Sequence, residues 1–514
     1  MPEESRTFAS DVPEQIRDAD PLLPVSPPVD TTPVATVKPR DMTRESKLVI
    51  YLILVSAFVV MLNETIIGVA LPSIMSEMGI DPSTGQWLLT AFMLTMAVVI
   101  PMSGFFLRRL STRGVYFSAL GLFTLGTVLA AIAPDFLVLL LGRILQAAGT
   151  GVMMPLLMTT IMTLVPPHER GRMMGNISIV MSVAPAIGPM ISGLILNFFH
   201  WRMVFVFVIP IAIAAIVLAW RKLVNVTERE RVGIDIVSIP LAVVAFGGLV
   251  YGLSETSHAV EGTALMPPWI PIVVGAAALA LFLWRQLRLQ REDRALIDLR
   301  TFTFKGFPIA ILMLSVTVAI LFGSIILVPI YVQDALGQSP LVSGLVVLPG
   351  SLIMGFAGPF VGRIYDRHGP KALVVPGSIL VAGALWGYTF LLGPTTPVWV
   401  VAAFHIVLSL GLAGLFGPLM NSALGALEPR LYPSGSAIVG TIQQVAGAAG
   451  TAVFVVVYTL RELSALAGGA TDALAVAEGS HAAFLAAACS ALAMIVIAFF
   501  IRRPADSMHG PSAH

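Results

Sequence analysis

Long apolar runs occupy most of the chain and alternate with short polar connections. A helix rises 1.5 Å per residue, so about 20 apolar residues are needed to cross the hydrocarbon of a bilayer. The runs of spanning length lie at about 48–71, 85–106, 114–133, 136–164, 173–197, 202–220, 234–254, 268–287, 307–333, 342–362, 372–392, 397–424, 434–460 and 481–501. The pattern predicts an all-α polytopic membrane protein with fourteen transmembrane helices.

Lys and Arg are concentrated in the connections that follow the even-numbered runs. We call this the basic side of the protein; the opposite side carries only Arg202 and Arg461. Both termini fall on the basic side. The positive-inside rule therefore predicts a multi-pass protein of the cytoplasmic (inner) membrane with both termini cytoplasmic.

The composition agrees with this interpretation and excludes several function classes. Of the 514 residues 57% are hydrophobic and 11% are charged, far from a soluble domain. The formal net charge of +1 does not indicate a nucleic-acid partner. One cysteine, Cys489, cannot form a disulfide framework. Without a phosphate-binding loop or a cluster of catalytic side chains, we expect neither an ATP-driven pump nor an enzyme.

Internal similarity indicates two repeats. Basic loops at 104–114 and 362–371 follow the second and tenth runs, and the fourth and twelfth runs share a Gly-rich, Pro-containing middle. Parallel repeats of this kind are a transporter architecture. We expect a disordered cytoplasmic tail (1–46), two six-helix bundles (47–220 and 306–503) joined by a linker with two extra helices (221–305), and a second tail (504–514).

Glu64 is the one formal charge in the first apolar run. About eight residues separate it from Pro72 at the end of that run, which places the carboxylate roughly 12 Å below the opposite surface. A carboxylate at this depth is costly unless it is paired, binds a proton or lines a water-filled cavity. The alternative is a locally satisfied polar residue with a packing role.

Four motifs carry a resemblance to a known family. Residues 362–371 read Gly-x-x-x-Asp-Arg-x-Gly-x-Lys, whereas the copy at 104–114 has Arg108 at the Asp position. Run 4 contains Arg143-Ile-Leu-Gln146, run 5 contains Ala184-Pro-Ala-Ile-Gly188-Pro, and run 6 opens with Trp201-Arg202. Over about 46–503 the chain resembles the major facilitator superfamily, specifically its fourteen-spanner drug:proton antiporters.

The first-helix motif departs from the family pattern. The family has Leu-Asp-x-Thr ahead of Val-Ala-Leu-Pro; here Asn63 stands at the Asp position and the acid follows at Glu64. This version is similar to the lincomycin-resistance-type exporters. Neighbouring helical positions point about 100° apart. Whether Glu64 replaces the family's Asp therefore stays open.

The resemblance implies proton-coupled secondary active efflux of drug-like amphiphilic compounds by alternating access. The proton gradient would be the energy source, and no cofactor or metal is expected. Small amphiphilic substrates, protons and the lipid bilayer are the expected partners of a monomer. The alternative is a proton-coupled exporter of an endogenous metabolite, lipid, amino acid or siderophore.

The resemblance and the depths of the polar residues together predict the site. Arg143 lies roughly 10 Å below the same surface as Glu64, so the two are predicted to pair for proton coupling; a static ion pair is the alternative. The substrate cavity is predicted to contain Asn63, Gln146, Met153, His405, Gln443 and Gln444. A structural role is the alternative for His405, and plain packing is the alternative for Met153.

Two segments are predicted to control conformation. In run 5 the small residues Ala184, Gly188 and Ser192 share one face, and the gating candidates there are Pro185, Gly188, Pro189 and Gly193. The loop candidates are Gly362, Asp366, Arg367, Gly369 and Lys371, which would exchange charge pairs and helix-end contacts as a latch. Ordinary helix packing and a solvated charge cluster are the respective alternatives. Asp235 and Asp334, at run ends, are minor candidates for the site and are expected to be exposed.

Overall fold

The computed structural model describes residues 43–80, 82–225, 235–260, 264 and 266–501. No β-strand occurs within these ranges. The long helices are α1 (Arg44–Met78), α2 (Pro82–Arg109), α3 (Thr112–Ile132), α4 (Phe136–Leu164), α5 (Arg170–Phe198), α6 (Met203–Lys222), α7 (Ser238–Thr256), α8 (Trp269–Leu289), α9 (Gly306–Ala335), α10 (Pro340–His368), α11 (Lys371–Leu391), α12 (Val398–Gly425), α13 (Tyr432–Ala467) and α14 (Asp472–Ala498).

These helices occupy the positions of the predicted spans. Within the described residues, 13 helices are long and apolar enough to cross a membrane, and α5, of 29 residues, occupies the position of the fifth run. The all-α membrane fold is therefore confirmed. The largest difference is at α14, which begins at Asp472 rather than near 481, because Asp472 and Glu478 interrupt the apolar pattern of its first turns.

Helix ends follow local capping chemistry. Ser111, Asp135 and Ser339 precede α3, α4 and α10, and each side chain accepts a backbone N–H of the first turn. Gly369 ends α10 with a φ of +79°, a conformation that favours glycine. Capping residues therefore determine where these long apolar helices begin and end.

The packing of the helices follows the predicted repeat. Within the halves, α1 packs on α5 and α3 on α4; the equivalent pairs α9–α13 and α11–α12 pack likewise. The halves meet where α5 packs on α10 and where α2 packs on α13, and exchanging the repeats maps one contact onto the other. The inserted helix α7 packs on α2 and α13, with α8 behind it. The domain bounds themselves remain a prediction.

The α5–α10 contact is built from four glycines, Gly171, Gly175, Gly358 and Gly362, which we call the glycine seam. A Cβ on Gly175 would collide with the carbonyl oxygen of Gly358, and one on Gly358 would collide with that of Gly175. Gly362 and Gly171 oppose each other in the same way. Glycine on both helices lets the two backbones touch.

The equivalent contact between α2 and α13, which we call the second seam, is less close. A Cβ on Gly104 would lie 3.1 Å from the Cβ of Ala437 and 3.2 Å from the carbonyl oxygen of Pro433. Gly440 of α13 faces Ile100 of α2. The two seams therefore share their position in the repeat but differ in their side chains.

Gly175→Ala tests the glycine seam. The added methyl group meets a backbone oxygen that cannot rotate away, and overpacking of this kind costs about 1–3 kcal/mol. We expect a lower midpoint of thermal unfolding for the purified protein in detergent. Gly383→Ala is the matched control, because a Cβ there meets no atom within 4 Å. Equal unfolding midpoints for the two variants would contradict the close backbone contact at the glycine seam.

Candidate functional site

The guanidinium of Arg143 lies fully buried on α4 and is held by uncharged groups. Its Nε donates to the carbonyl oxygen of Leu88 at 3.4 Å, and an Nη donates to Oε1 of Gln146 at 2.9 Å. The ring of Phe92 faces the guanidinium at 4.1 Å. Gln146 in turn donates to Oγ1 of Thr127 on α3 at 2.9 Å. Side chains of three helices therefore hold the charge in place.

Glu64 lies on α1, partly buried, within range of the charge on Arg143. The predicted ion pair is absent from the described structure, where the nitrogens of Arg143 bond to Leu88 and Gln146 instead. Glu64 likewise forms no hydrogen bond with any residue that the structure describes. The prediction of a direct pair is therefore wrong for this conformation, because equal depth does not fix the direction in which each side chain points.

Asn63, at the family's Asp position, is 1% exposed. Neither Nδ2 nor Oδ1 of its amide has a hydrogen-bond partner within the described part of the chain. An unsatisfied buried amide costs about 1–3 kcal/mol for each such group. The first-helix motif therefore places an unsatisfied amide beside an unpaired acid.

The small face of α5 packs on α1. A Cβ on Gly188 would collide with Oγ1 of Thr65, and the hydroxyl of Ser192 donates to the carbonyl oxygen of Ile66 at 3.0 Å. This face therefore joins two helices of one half and does not itself close the space between the halves. Gly193 needs no close approach, since a Cβ there meets nothing within 4 Å. The side chains of Pro185 and Pro189 lie outside the described residues, and their gating role stays a prediction.

Gln444 of α13, in the second half, contacts a methionine of α2. Its Nε2 lies 4.0 Å from Sδ of Met96 on α2. Met96 packs with Phe92, the ring that faces Arg143. Gln443, by contrast, points to Sδ of Met420 on α12 at 3.9 Å. One of the two predicted glutamines thus contacts the apolar cluster that flanks Arg143, and the cavity role of both stays a prediction.

Two predicted cavity residues are enclosed by apolar packing. Met153 is fully buried in the main core, as the packing alternative expected. His405 packs on α10 at Gly350, and its Nδ1 has no hydrogen-bond partner among the described residues. Both residues are buried in the described structure, and their role in a substrate cavity stays a prediction.

The last turn of α10, which the sequence analysis assigned to a loop, contacts the other half directly. The carboxylate of Asp366 accepts the backbone N–H groups of Gly171 at 2.8 Å and Arg172 at 3.0 Å, at the start of α5. A carboxylate at a helix N-terminus is favourable because it complements the helix dipole. Arg367 and Lys371 are exposed. The contact predicted for Asp366 is a helix-end contact, while the latch role remains a prediction.

Two acids with defined partners were not predicted from the sequence. Glu255 on α7 is buried, and its side chain is hydrogen-bonded to that of Tyr251; it lies one residue beyond the predicted run. Glu77, at the end of α1, accepts from Nε1 of Trp201 at 2.9 Å and bonds to Arg202 and His200. These partners come after α5 in the chain, so the sequence of α1 alone could not predict that Glu77 is paired.

The two acids held as minor candidates differ in exposure. Asp334 is exposed, as expected. Asp235 is buried, against expectation, because Arg285 binds it through two nitrogens at 2.7 Å. Hydrogen bonds from Arg285 lower the pKa of Asp235 to about 2, so this carboxylate stays charged at physiological pH.

Comparisons with known proteins agree with the fold. The family model described as Major Facilitator Superfamily matches residues 53–451. The chain is 35% identical to the lincomycin resistance protein LmrB of Bacillus subtilis (strain 168), covering 88% of this chain and 95% of that protein. It is 30% identical to a multidrug resistance protein B homolog of Mycobacterium tuberculosis (strain ATCC 25618 / H37Rv), covering 77% and 73%. The crystal structure of the human organic anion transporter MFSD10 (TETRAN) superposes with a TM-score of 0.61 at 16% identity, covering 88% and 99%.

Asp366→Asn tests the contact between the last turn of α10 and α5. Loss of the charge removes about 0.3–1 kcal/mol of helix-dipole stabilisation, so the glycine seam should open more often. Ser178 lines the narrow crevice at that seam, and Ser178→Cys in a Cys489→Ser background reports opening through its rate of maleimide labelling. We expect faster labelling with Asp366→Asn. Arg367→Gln, which removes an exposed charge in the same turn of α10, is the control. Equal acceleration of labelling by both variants would contradict the contact.

Proposed function

The chain belongs to the Major Facilitator Superfamily, and we propose that it exports drug-like amphiphilic compounds in exchange for protons by alternating access. It is a multi-pass membrane transporter and not an enzyme. Beyond membrane transport, the proposal specifies drug-like amphiphilic substrates, exchange for protons and transport out of the cell. It also includes the cytoplasmic membrane as location, cytoplasmic termini and a monomeric state.

The arrangement of Glu64 and Arg143 is the observation that carries proton coupling. Arg143 is held by neutral partners, so its charge is not cancelled, and Glu64 remains unpaired within its field. The protonation of such an acid depends on its distance from the cation and on its contact with water. Its contact with water changes when the first half moves relative to the second, which would couple the proton to the conformation.

Alternating access is supported by where the halves touch. On α5 the contacts with α10 run from Gly171 to Val183, the half of the helix nearest the basic side. On α2 the contacts with α13 run from Met96 to Gly104, again toward the basic side. We infer a state closed toward the basic side, with opening at the two seams as the step that exposes the site to the cytoplasm.

The substrate class is supported by the relatives and by the site. Lincomycin resistance and multidrug resistance are the roles that two relatives carry in their names. The buried surroundings of Arg143 include Phe92 and Met96, apolar side chains with polarisable faces. Amphiphilic compounds with an apolar body and a polar group suit such surroundings.

The test is a proton-flux assay on purified protein in liposomes with a pH gradient. Wild-type protein should dissipate the gradient when lincomycin or another compound of a drug panel is added. Glu64→Gln keeps the shape and hydrogen bonding of the side chain but cannot ionise. We expect it to abolish drug-dependent proton flux while drug binding persists.

Glu45→Gln is the matched control, because Glu45 is exposed at the first turn of the same helix. Normal coupling in Glu64→Gln would show that another group carries the proton. A wild-type protein in which no drug moves protons would contradict drug export and favour an endogenous substrate.

A further inference from the structure

The connection between α8 and α9 is unusually buried for a loop. We call residues 293–301 the strap. Its residues Ala295, Leu296, Ile297, Asp298 and Thr301 are each at most 4% exposed. Connections normally run over the surface, where water satisfies their backbone groups. A buried connection needs protein partners instead.

Side chains of two other helices supply those partners. The N–H of Leu296 donates to Oε1 of Gln286 at 2.8 Å, on α8. The N–H of Asp298 donates to Oγ of Ser434 at 3.3 Å, in the first turn of α13. The N–H of Leu299 donates to Oε1 of Gln290 at 3.1 Å, just after α8. The strap therefore bridges the end of α8 and the start of α13.

The strap also contacts α2. The guanidinium of Arg108, a buried group, donates to the carbonyl oxygen of Ala295. Ala295 is three residues before Asp298, which bonds to α13. The strap thus touches both helices of the second seam at the basic side.

Arg108 stands where the other repeat has Asp366. At the glycine seam, Asp366 accepts the first N–H groups of α5. The repeat maps the start of α5 onto the start of α13, but a guanidinium is a donor only and cannot accept N–H groups there. Pro433 at the start of α13 removes one such donor as well. The acid-to-helix bond that joins the halves at the first seam therefore cannot form at the second.

The inserted helices hold the strap firmly. Arg285 of α8 binds Asp235 ahead of α7 through two hydrogen bonds of 2.7 Å. The neighbouring Gln286 donates to Oγ of Ser238, at the start of α7, at 2.8 Å and accepts from the strap with its other amide atom. Within the strap, Arg300 bonds to Asp298 at 2.9 Å. The inserted helices α7 and α8 and the strap therefore form one hydrogen-bonded unit.

We propose that the inserted helices α7 and α8 act through the strap as a second basic-side latch, which takes the place of the acid-to-helix bond that Arg108 cannot make. When the second seam opens, either the hydrogen bond between Asp298 and Ser434 or the one between Arg108 and Ala295 has to break. These two bonds join the strap to helices of opposite halves. The inference rests on the alternating access of the proposed function, but not on its substrate or its proton.

Ser434→Ala is the primary test, because it removes the acceptor on α13 with little change in volume. Spin labels replace exposed Leu110, after α2, and exposed Glu428, before α13, in a Cys489→Ser background. Distances are measured by pulsed electron paramagnetic resonance in liposomes. Loss of one buried hydrogen bond should raise the ratio of long to short distances roughly two- to tenfold.

Two further variants make the result specific. Gln286→Met fills a similar volume but cannot accept the N–H of Leu296, so we expect the same direction of change. Thr441→Ala is the control on the same helix: this buried hydroxyl donates to the carbonyl oxygen of Ala437, within α13, and its loss should leave the ratio unchanged.

The outcomes separate the latch from the proposed function. Two wild-type distances whose ratio is unchanged by Ser434→Ala would overturn the latch alone. Equal changes in Ser434→Ala and Thr441→Ala would also overturn it, since removal of any hydroxyl on α13 would then suffice. A single wild-type distance under every pH gradient would overturn the rocking motion and, with it, both proposals.

Discussion

The burial of one positive charge constrains the first half of the protein. Arg143 is enclosed by protein at membrane depth, where a cation needs partners for its donors. The partners are a carbonyl, an amide and an aromatic face, all neutral. They come from α2 and α4, and the amide of Gln146 is itself oriented by Thr127 of α3. Positioning one guanidinium thus requires three helices in fixed register.

That register depends on close packing between α3 and α4. A Cβ on Gly126 would lie 2.5 Å from the carbonyl oxygen of Gly142 and 2.6 Å from the backbone nitrogen of Gln146. A Cβ on Gly149 would collide with the carbonyl oxygen of Ala119. Only glycine allows this approach, and the approach brings Gln146 within reach of Thr127. The Gly-rich middle of α4 therefore serves the charge site by letting a neighbouring helix come near.

Sequence patterns predicted what depends on position along a helix, and they failed where direction around the helix matters. Hydropathy placed the helices, and the basic loop motif located Asp366 at a helix-end contact between the halves. Depth alone could not show that Arg143 bonds to Gln146 rather than to Glu64. The small face on Gly188 was evident, but a single helix cannot show which neighbour it meets. Gly171 and Gly175 lie near the start of a run, and their contact with glycines of α10 is evident only when both helices are in view.

The two seams show how a repeat can keep its geometry while its chemistry diverges. Rigid halves that touch at two places must separate at both, so the free energy of opening contains terms from each seam. At the first seam those terms are glycine contacts and one carboxylate on a helix end. At the second seam the helix packing is less close, and Arg108 stands at the position of the acid, so the bond from a carboxylate to a helix end is missing there. A buried connection from the inserted helices lies at that place, so the insertion compensates for the divergence of the motif beside it.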